Sequence, residues 1–486
     1  MSQQSSLNGF RASLAAQATR IVVNGLVILL LTRYLISPGE YGLLFLAISI
    51  FGSALLFSRL GLQKSAARYV TEYRETSPGQ IRHVVRTSIL ATVAMSLVVG
   101  VVLVLSRDAI ASAFDEPELV SLLALGFFYV LFRTLNNYVY TLFQGFNYIT
   151  RSALLSICSQ LGILIGVVSL TLAGYGAMGA VTGYVVGYGS GTVFGLVFLA
   201  RTLREYEIEP IEPGLRRRIL EYSLPLTATG AADILYKRLD TILIGLFLTP
   251  VAVAYYTLAK QISDFVIAPA DALGFTISPS YGEHKARNNT QRAARIYEMA
   301  FEHTILFYVP AAAGLVLVAD PAIVLFFGDG YAGAVPVIQV LSIFVLLQAI
   351  DKITNDGLDY LGRAKHRAIV KTSTGTLNFG LNLALIPTIG VVGAAISTVV
   401  GYGIMVSVNV YLIHTELALS LGRLVRSLVI VGLITLCMSA AVFAMVPLAS
   451  SLLMLIVVVA VGAGIWSILA LASGIPEIEV TMASLR

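Results

Sequence analysis

The stretch YGAMGAVTGYVVGYG (175–189) returns as IGVVGAAISTVVGYG (389–403), identical at eight of fifteen positions. Gly176, Gly179 and Ala180 align with Gly390, Gly393 and Ala394, and both copies close on VVGYG. Glycine- and valine-rich segments converge easily, so the echo decides the fold only if its offset recurs. It does: LTRYLISPGEYGLLFLA (31–47) resembles IGLFLTPVAVAYYTLA (244–259) with Pro38 over Pro250, and Leu60-Gly61 matches Leu273-Gly274. The chain reads as two copies of one unit. The glycines of both VVGYG copies are expected to let helix backbones approach closely.

Composition says what kind of unit this is. Of the 486 residues, 57% are hydrophobic and 12% charged, and the mean hydropathy is +0.84. A soluble domain carries about a quarter charged residues, so the chain is expected to be an all-α, multi-pass membrane protein. Apolar runs able to cross roughly 30 Å of hydrocarbon number fourteen, near 17–36, 42–60, 87–106, 119–141, 152–173, 177–200, 224–247, 252–274, 300–319, 334–356, 368–387, 390–412, 427–446 and 451–472. With the N-terminus inside, 22 of the 32 Lys and Arg fall on the cytoplasmic side, one (Arg107) falls on the opposite side and nine lie within segments. That asymmetry is what the positive-inside rule demands, and it puts both termini in the cytoplasm. The isoelectric point near 9.0 follows from this topology and implies no nucleic acid. The first segment lacks a basic leader and a small-residue cleavage pattern, so it reads as a retained span. Cys158 and Cys437 lie far apart inside segments and imply neither a disulfide nor a metal site; no cofactor is expected.

The expected organisation is a six-helix lobe over 1–200, a basic cytoplasmic linker over 201–223 and a second six-helix lobe over 224–413. Two additional helices and a cytoplasmic tail complete the chain over 414–486. Six helices per copy insert both copies the same way up, and parallel repeats of this kind hold substrate between them near the bilayer midplane. No charge occurs from Ser427 to Pro476. These last two helices read as an addition packed on one half; the other reading is a greasy surface for a long lipid chain.

Ionisable groups at membrane depth are costly and usually face a cavity or a partner. The fourth segment carries Arg133, Asn137, Tyr140 and Gln144 on one helical face, with Asn136 alongside. The tenth carries Gln348, Lys352, Asn355 and Asp359 at identical spacings, with Asp351 alongside. A polar stripe kept in both copies points to a wet cavity. The seventh segment places Asp233, Lys237 and Asp240 on one face beside Arg238. These form either a self-neutralising ladder or a substrate or ion site. The first segment offers Arg20 and Asn24 in the equivalent region, and Lys260 and Asp264 in the eighth read as an ion pair. The cavity candidates are Arg20, Asn24, Arg133, Asn137, Lys237, Arg238 and Lys352. Asp233, Asp240, Asp264 and Asp351 are candidates for coupling or charge pairing.

RLDTILIGLFLTPVAVAYYTLAKQI (238–262), FGDGYAGAVPVIQVLSI (327–343), LGRAKHRAIVKTSTGTLNFGLNLALIPTIGVVGAAIST (361–398) and LGLQKSAARYV (60–70) together resemble the Wzx-like polysaccharide/oligosaccharide-lipid flippases. These belong to the multidrug/oligosaccharidyl-lipid/polysaccharide (MOP) exporter superfamily. The resemblance covers essentially the whole chain in order. It implies a V-shaped transporter that moves a polyprenyl-(pyro)phosphate-linked glycan from the cytoplasmic to the outer leaflet of the cell membrane by alternating access. In such proteins the headgroup enters a cationic central cavity and the lipid tail stays in the bilayer. A monomer working alongside a glycan polymerase or glycosyltransferases is implied too. The first-helix pattern of the peptidoglycan-branch lipid flippases is not present. A drug antiporter of the same superfamily is the alternative, but such proteins usually have twelve helices and an acidic coupling residue in the first. An enzyme is rejected: the largest outward loops, 107–118 and 320–333, are about a dozen residues, and no HExxH, GxSxG or P-loop occurs.

Overall fold

The structure, a computed structural model, describes residues 3–207, 209–287 and 289–473; the side chains of 3–7, 228–237, 271, 272 and 275 lie outside that description. Two compact units divide the chain, Met1–Val253 and Ala254–Arg486.

The first unit holds α1 (Gln3–Leu30), α2 (Pro38–Arg59), α3 (Leu62–Thr76), α4 (Ile81–Leu105), α5 (Arg107–Ala113), α6 (Leu119–Gly145), α7 (Ile149–Leu170), α8 (Gly176–Arg204) and α9 (Leu215–Phe247). Ser-Pro-Gly-Glu starts α2 with a capping box: Glu40 N donates to Ser37 Oγ at 3.3 Å, and Ser37 N donates to Glu40 Oε2 at 3.0 Å. Leu60 and Gly61, at φ of 42° and 65°, turn the chain sharply from α2 into α3. α3 is amphipathic, burying Leu62, Ser65, Ala66, Tyr69, Val70 and Tyr73 against its neighbours while Lys64 and Arg68 stay exposed.

α7 and α8 form the tightest hairpin of the unit, and their glycines explain why. A Cβ on Gly183 would lie 2.3 Å from Val167 N, and one on Gly187 would lie 2.5 Å from Ile163 N. Pro210 and Glu212, in the connection between α8 and α9, are tied back onto α3 and the start of α4. Gln80 Nε2 donates to Pro210 O at 2.6 Å, and Glu212 accepts from the Tyr73 hydroxyl and from Arg218. Burial and the Glu212 carboxylate push the Tyr73 hydroxyl up to about 12. α9 then packs on α2 and α3, within the first unit.

α10 (Pro250–Ala286) opens the second unit, followed by α11 (Thr290–Phe327), α12 (Val335–Tyr360), α13 (Ala364–Ile389), α14 (Val391–Leu417), α15 (Leu421–Met445) and α16 (Leu452–Ala472). α15 and α16, free of charge from Ser427 onward, pack on α11. Met438, Val442, Leu455 and Val458 share a core with Leu317 and Trp466. Buried Glu302 accepts from Arg423 Nε at 2.9 Å and Ser427 Oγ at 3.1 Å, which fixes where α15 begins.

Each of the fourteen predicted segments overlaps one of these helices, the first running six residues past the end of α1, and no strand occurs among the described residues. By length and composition, ten described helices can cross a membrane, one of them, Ile149–Arg204, running through α7 and α8. α9, α10 and α13, with their charged or amide-rich stretches, are not among the ten. The molecule is an all-α, multi-pass membrane protein.

Candidate functional site

A polar cavity of about 200 Å³ opens inside the first unit, lined by α1, α6, α7 and one residue of α8. The α6 stripe supplies Arg133, Asn137, Tyr140 and Gln144 in register; α1 adds Gln17 and Arg20, and α7 adds Gln160. Asn136, beside the stripe, is spent on structure. Its amide donates to Ser159 Oγ at 2.8 Å and to Tyr188 O at 3.4 Å, tying α6 to α7 and α8. Gly191 leaves room for that amide, since a Cβ there would sit 2.5 Å from it.

At one end of the stripe the cavity meets a cluster of arginines and tyrosines. The Arg133 guanidinium lies over the Tyr188 ring, 4.1 Å from its centroid. Tyr188 in turn meets Tyr129 edge-on at 5.6 Å and Tyr184 at 6.3 Å. Arg59, at the end of α2, is within electrostatic reach of both Arg133 and Arg238. Its Nε is shielded from solvent and has no hydrogen-bond partner among the described residues. Arg238 lies against Gly52, where a Cβ would sit 3.0 Å from the guanidinium Nε. No carboxylate pairs with Arg20, Arg59, Arg133 or Arg238 among the described residues. Arg59, Arg133 and Arg238 thus gather positive charge beside the Tyr129–Tyr184–Tyr188 rings.

The second unit repeats the aromatic pair. Phe344 and Tyr402 meet edge-on at 4.7 Å, as Tyr129 and Tyr188 do. A cation again covers the pair, here Lys260, 4.2 Å from the Phe344 centroid. Unlike Arg133, Lys260 is paired, with its Nζ 3.0 Å from Asp264 Oδ1. Asp351 is buried next to Asn409, within electrostatic reach of Lys352, Lys371 and Arg367.

The structure therefore brings Arg20, Arg133 and Asn137 together in the cavity, with Arg238 in the adjoining cluster. Asn24 is exposed on α1 and does not line the cavity. Asp240 is buried and engaged in an interaction of its own. The side chains of Asp233 and Lys237 lie outside the described residues. Lys352, Asp264 and Asp351 belong to the second unit. Sequence reasoning missed Arg59, Tyr129, Tyr184, Gln17 and Gln160, and it read VVGYG for its glycines while Tyr188 sits at the site. Extending the repeat to Tyr129 and Phe344 would have exposed the paired rings.

A multi-pass helical fold with a cationic cavity among its described residues is the architecture of a membrane transporter. The family model described as "Polysaccharide biosynthesis protein" matches residues 8–267, more than half of the chain, and the MatE family model matches residues 225–384. The chain belongs to the polysaccharide biosynthesis protein family, within the MOP exporter superfamily. It is 25% identical over 188 residues to the probable low-salt glycan biosynthesis flippase Agl15 of Haloferax volcanii, a match covering 39% of this chain and 40% of that protein. It is 24% identical over 417 residues to the lipopolysaccharide biosynthesis protein WzxC of Escherichia coli strain K12, covering 82% and 79%. Its fold matches the inward closed conformation of the lipid II flippase MurJ with a TM-score of 0.75 at 14% identity, covering 96% of this chain and 98% of that one. That likeness is of fold alone.

Proposed function

We propose that the protein is a flippase carrying a polyprenyl-(pyro)phosphate-linked glycan from the cytoplasmic to the outer leaflet, by exposing the cationic cavity alternately to the two sides. The observation that carries this reading is the Arg59–Arg133–Arg238 cluster, which lacks a carboxylate partner among the described residues. Cations at membrane depth without counter-charge are costly. A phosphate or diphosphate supplies the missing charge and accepts charge-assisted, bidentate hydrogen bonds. The lipid tail stays in the bilayer. A cationic drug would meet the same charges as repulsion, which disfavours the antiporter reading. The names of Agl15 and WzxC support a glycan-related cargo.

Lys237 and Lys352 are proposed as further substrate contacts, and Asp233, Asp240, Asp264 and Asp351 as groups that balance the cations or couple transport to an ion. The proposed arrangement has both termini in the cytoplasm and lobes bounded at 200 and 224. The protein acts as a monomer beside a glycan polymerase or glycosyltransferases.

Arg133→Ala tests the reading. Each charge-assisted bond contributes about 1.5–3 kcal/mol, so binding should weaken roughly ten- to a hundredfold. The variant should remain in the membrane while lipid-linked glycan accumulates on the cytoplasmic face. Arg133→Lys should be milder, keeping charge but losing the planar fork. Undiminished export by Arg133→Ala at normal protein levels sinks the proposal.

A further inference from the structure

Arg59 closes α2 and Arg133 stands midway along α6, each within repelling reach of the other. Like charges gathered in this way push their helices apart unless something else fixes them. The residue next to each arginine does so. Ser58 and Thr134 are both buried, and their hydroxyl oxygens are 2.7 Å apart, joining α2 to α6. Ser58 gives its own proton to Leu55 O at 3.1 Å, so Thr134 donates in the pair. Helical threonines ordinarily return that proton to their own helix, as Thr32, Thr92 and Thr171 do four residues back. Thr134 makes no such bond among the described residues, and its hydroxyl is turned across to α2. Further along the same pair of helices the contact is apolar. Phe51 packs on Tyr129 with ring centroids 5.0 Å apart, and a Cβ on Gly126 would lie 2.5 Å from the Phe51 ring. Rings slide on one another at little cost, whereas a hydrogen bond between two hydroxyls holds one register.

We infer that Ser58 and Thr134 are positioning residues for the arginine cluster: their hydrogen bond holds Arg59 beside Arg133 in the ligand-free protein, so that a phosphate meets both guanidinia already gathered. The inference rests on the flippase reading above and deepens it. Place in the chain sets this pair apart from other buried hydroxyl contacts of the first unit. Ser88 and Tyr138 also meet at 2.7 Å, between α4 and α6, but neither adjoins an arginine of the cluster. Ser58 and Thr134 are each one peptide bond from the cation they place. The cost of holding two cations together is then met when the chain folds and is not charged to binding, which is how preorganisation raises affinity. Without the bond, Arg59 is the cation that leaves. It ends its helix, and a long cationic side chain there reaches for the interface. Arg133 stays, since its guanidinium lies over the Tyr188 ring.

The test uses the purified full chain in lipid nanodiscs and measures Kd for a polyprenyl diphosphate without sugar. Thr134→Val removes the bond and keeps the outline of the side chain. It should raise Kd roughly three- to tenfold, the size expected for one lost hydrogen bond. Thr134→Ser keeps the hydroxyl and should stay near the wild type. Tyr138→Phe breaks a buried bond of the same length on the same helix and should leave Kd unchanged, which separates positioning from a general loss of stability. The closing comparison is made in an Arg59→Gln background, where no second cation remains to be held. There Thr134→Val should cost less than about twofold, because the two changes remove one and the same effect. If Thr134→Val does not assemble, Ser58→Ala gives the same comparison. Equal losses in the two backgrounds, an equal loss in Tyr138→Phe, or wild-type Kd in Thr134→Val or in Arg59→Gln overturns the positioning role. Failure of the wild type to bind the polyprenyl diphosphate overturns instead the flippase reading on which it rests.

Discussion

Tyr188 connects the arginine cluster to the cavity, with its ring under Arg133 and perpendicular to Tyr129. Its hydroxyl makes no hydrogen bond among the described residues, so the ring itself carries the contact. A desolvated cation–π contact contributes about 0.5–2 kcal/mol. Tyr188→Leu should therefore lower the affinity for a polyprenyl diphosphate severalfold, and Tyr188→Phe should stay near the wild type, both read by equilibrium binding. If Tyr188→Phe fails as badly as Tyr188→Leu, the hydroxyl touches the ligand and the ring is secondary. At this scale the sequence was legible where a charge stood alone in an apolar run. Arg133 is conspicuous because nothing else explains a guanidinium at that depth. Arg59 was not, because it ends its segment, where a cation normally reaches the interface. Only the sharp turn at Leu60-Gly61 and the packing of α9 on α2 fold it towards Arg238.

The repeated glycines behave differently in the two copies once helices are packed. Gly187 meets the backbone of α7, whereas its counterpart Gly401 faces the Asn378 side chain, 3.2 Å from where a Cβ would be built. Gly403 is freer still, with Leu347 at 3.8 Å. At the turn both copies are tight: a Cβ on Gly179 would lie 2.9 Å from Leu170 O, and one on Gly393 would lie 2.4 Å from Leu385 O. Within VVGYG the expected backbone approach thus holds at Gly187 and not at Gly401, because a side chain on α13 fills the space that backbone fills on α7, while Gly189 and Gly403 are both free. Gly187→Ala should destabilise by about 1–3 kcal/mol through overpacking. Gly403→Ala should be neutral or stabilising by up to about 1 kcal/mol, since alanine favours helix. Thermal unfolding of the two variants in one detergent checks this; equal losses would mean that position 403 is as tightly packed as position 187. What a repeat preserves is legible in sequence as identity, but which neighbour each glycine meets depends on residues outside the repeat.

For the whole molecule, the sequence speaks through the segregation of charge, which no contact inside the protein records. The positive-inside rule predicts the loops near 77, 217 and 289 in the cytoplasm and the loop at 107–118 outside. The structure gives each of these sites a surface position suited to labelling: Arg217 is 82% exposed, Asn289 is exposed, and Ser77 and Glu116 are half-buried in turns. The free cysteines Cys158 and Cys437 lie within α7 and α15 and must first be replaced. In that background, single cysteines at Ser77, Arg217 and Asn289 should react with a membrane-impermeant maleimide only after the membrane is opened, and one at Glu116 should react in intact cells. The site at 217 is the most informative. It follows the sixth predicted segment, so an error of one span anywhere before it would move it across the membrane and reverse the orientation of the second repeat. Labelling of position 217 in intact cells would therefore remove the argument for parallel repeats. It would also place the phosphate-seeking arginines at the wrong end of the proposed transport path.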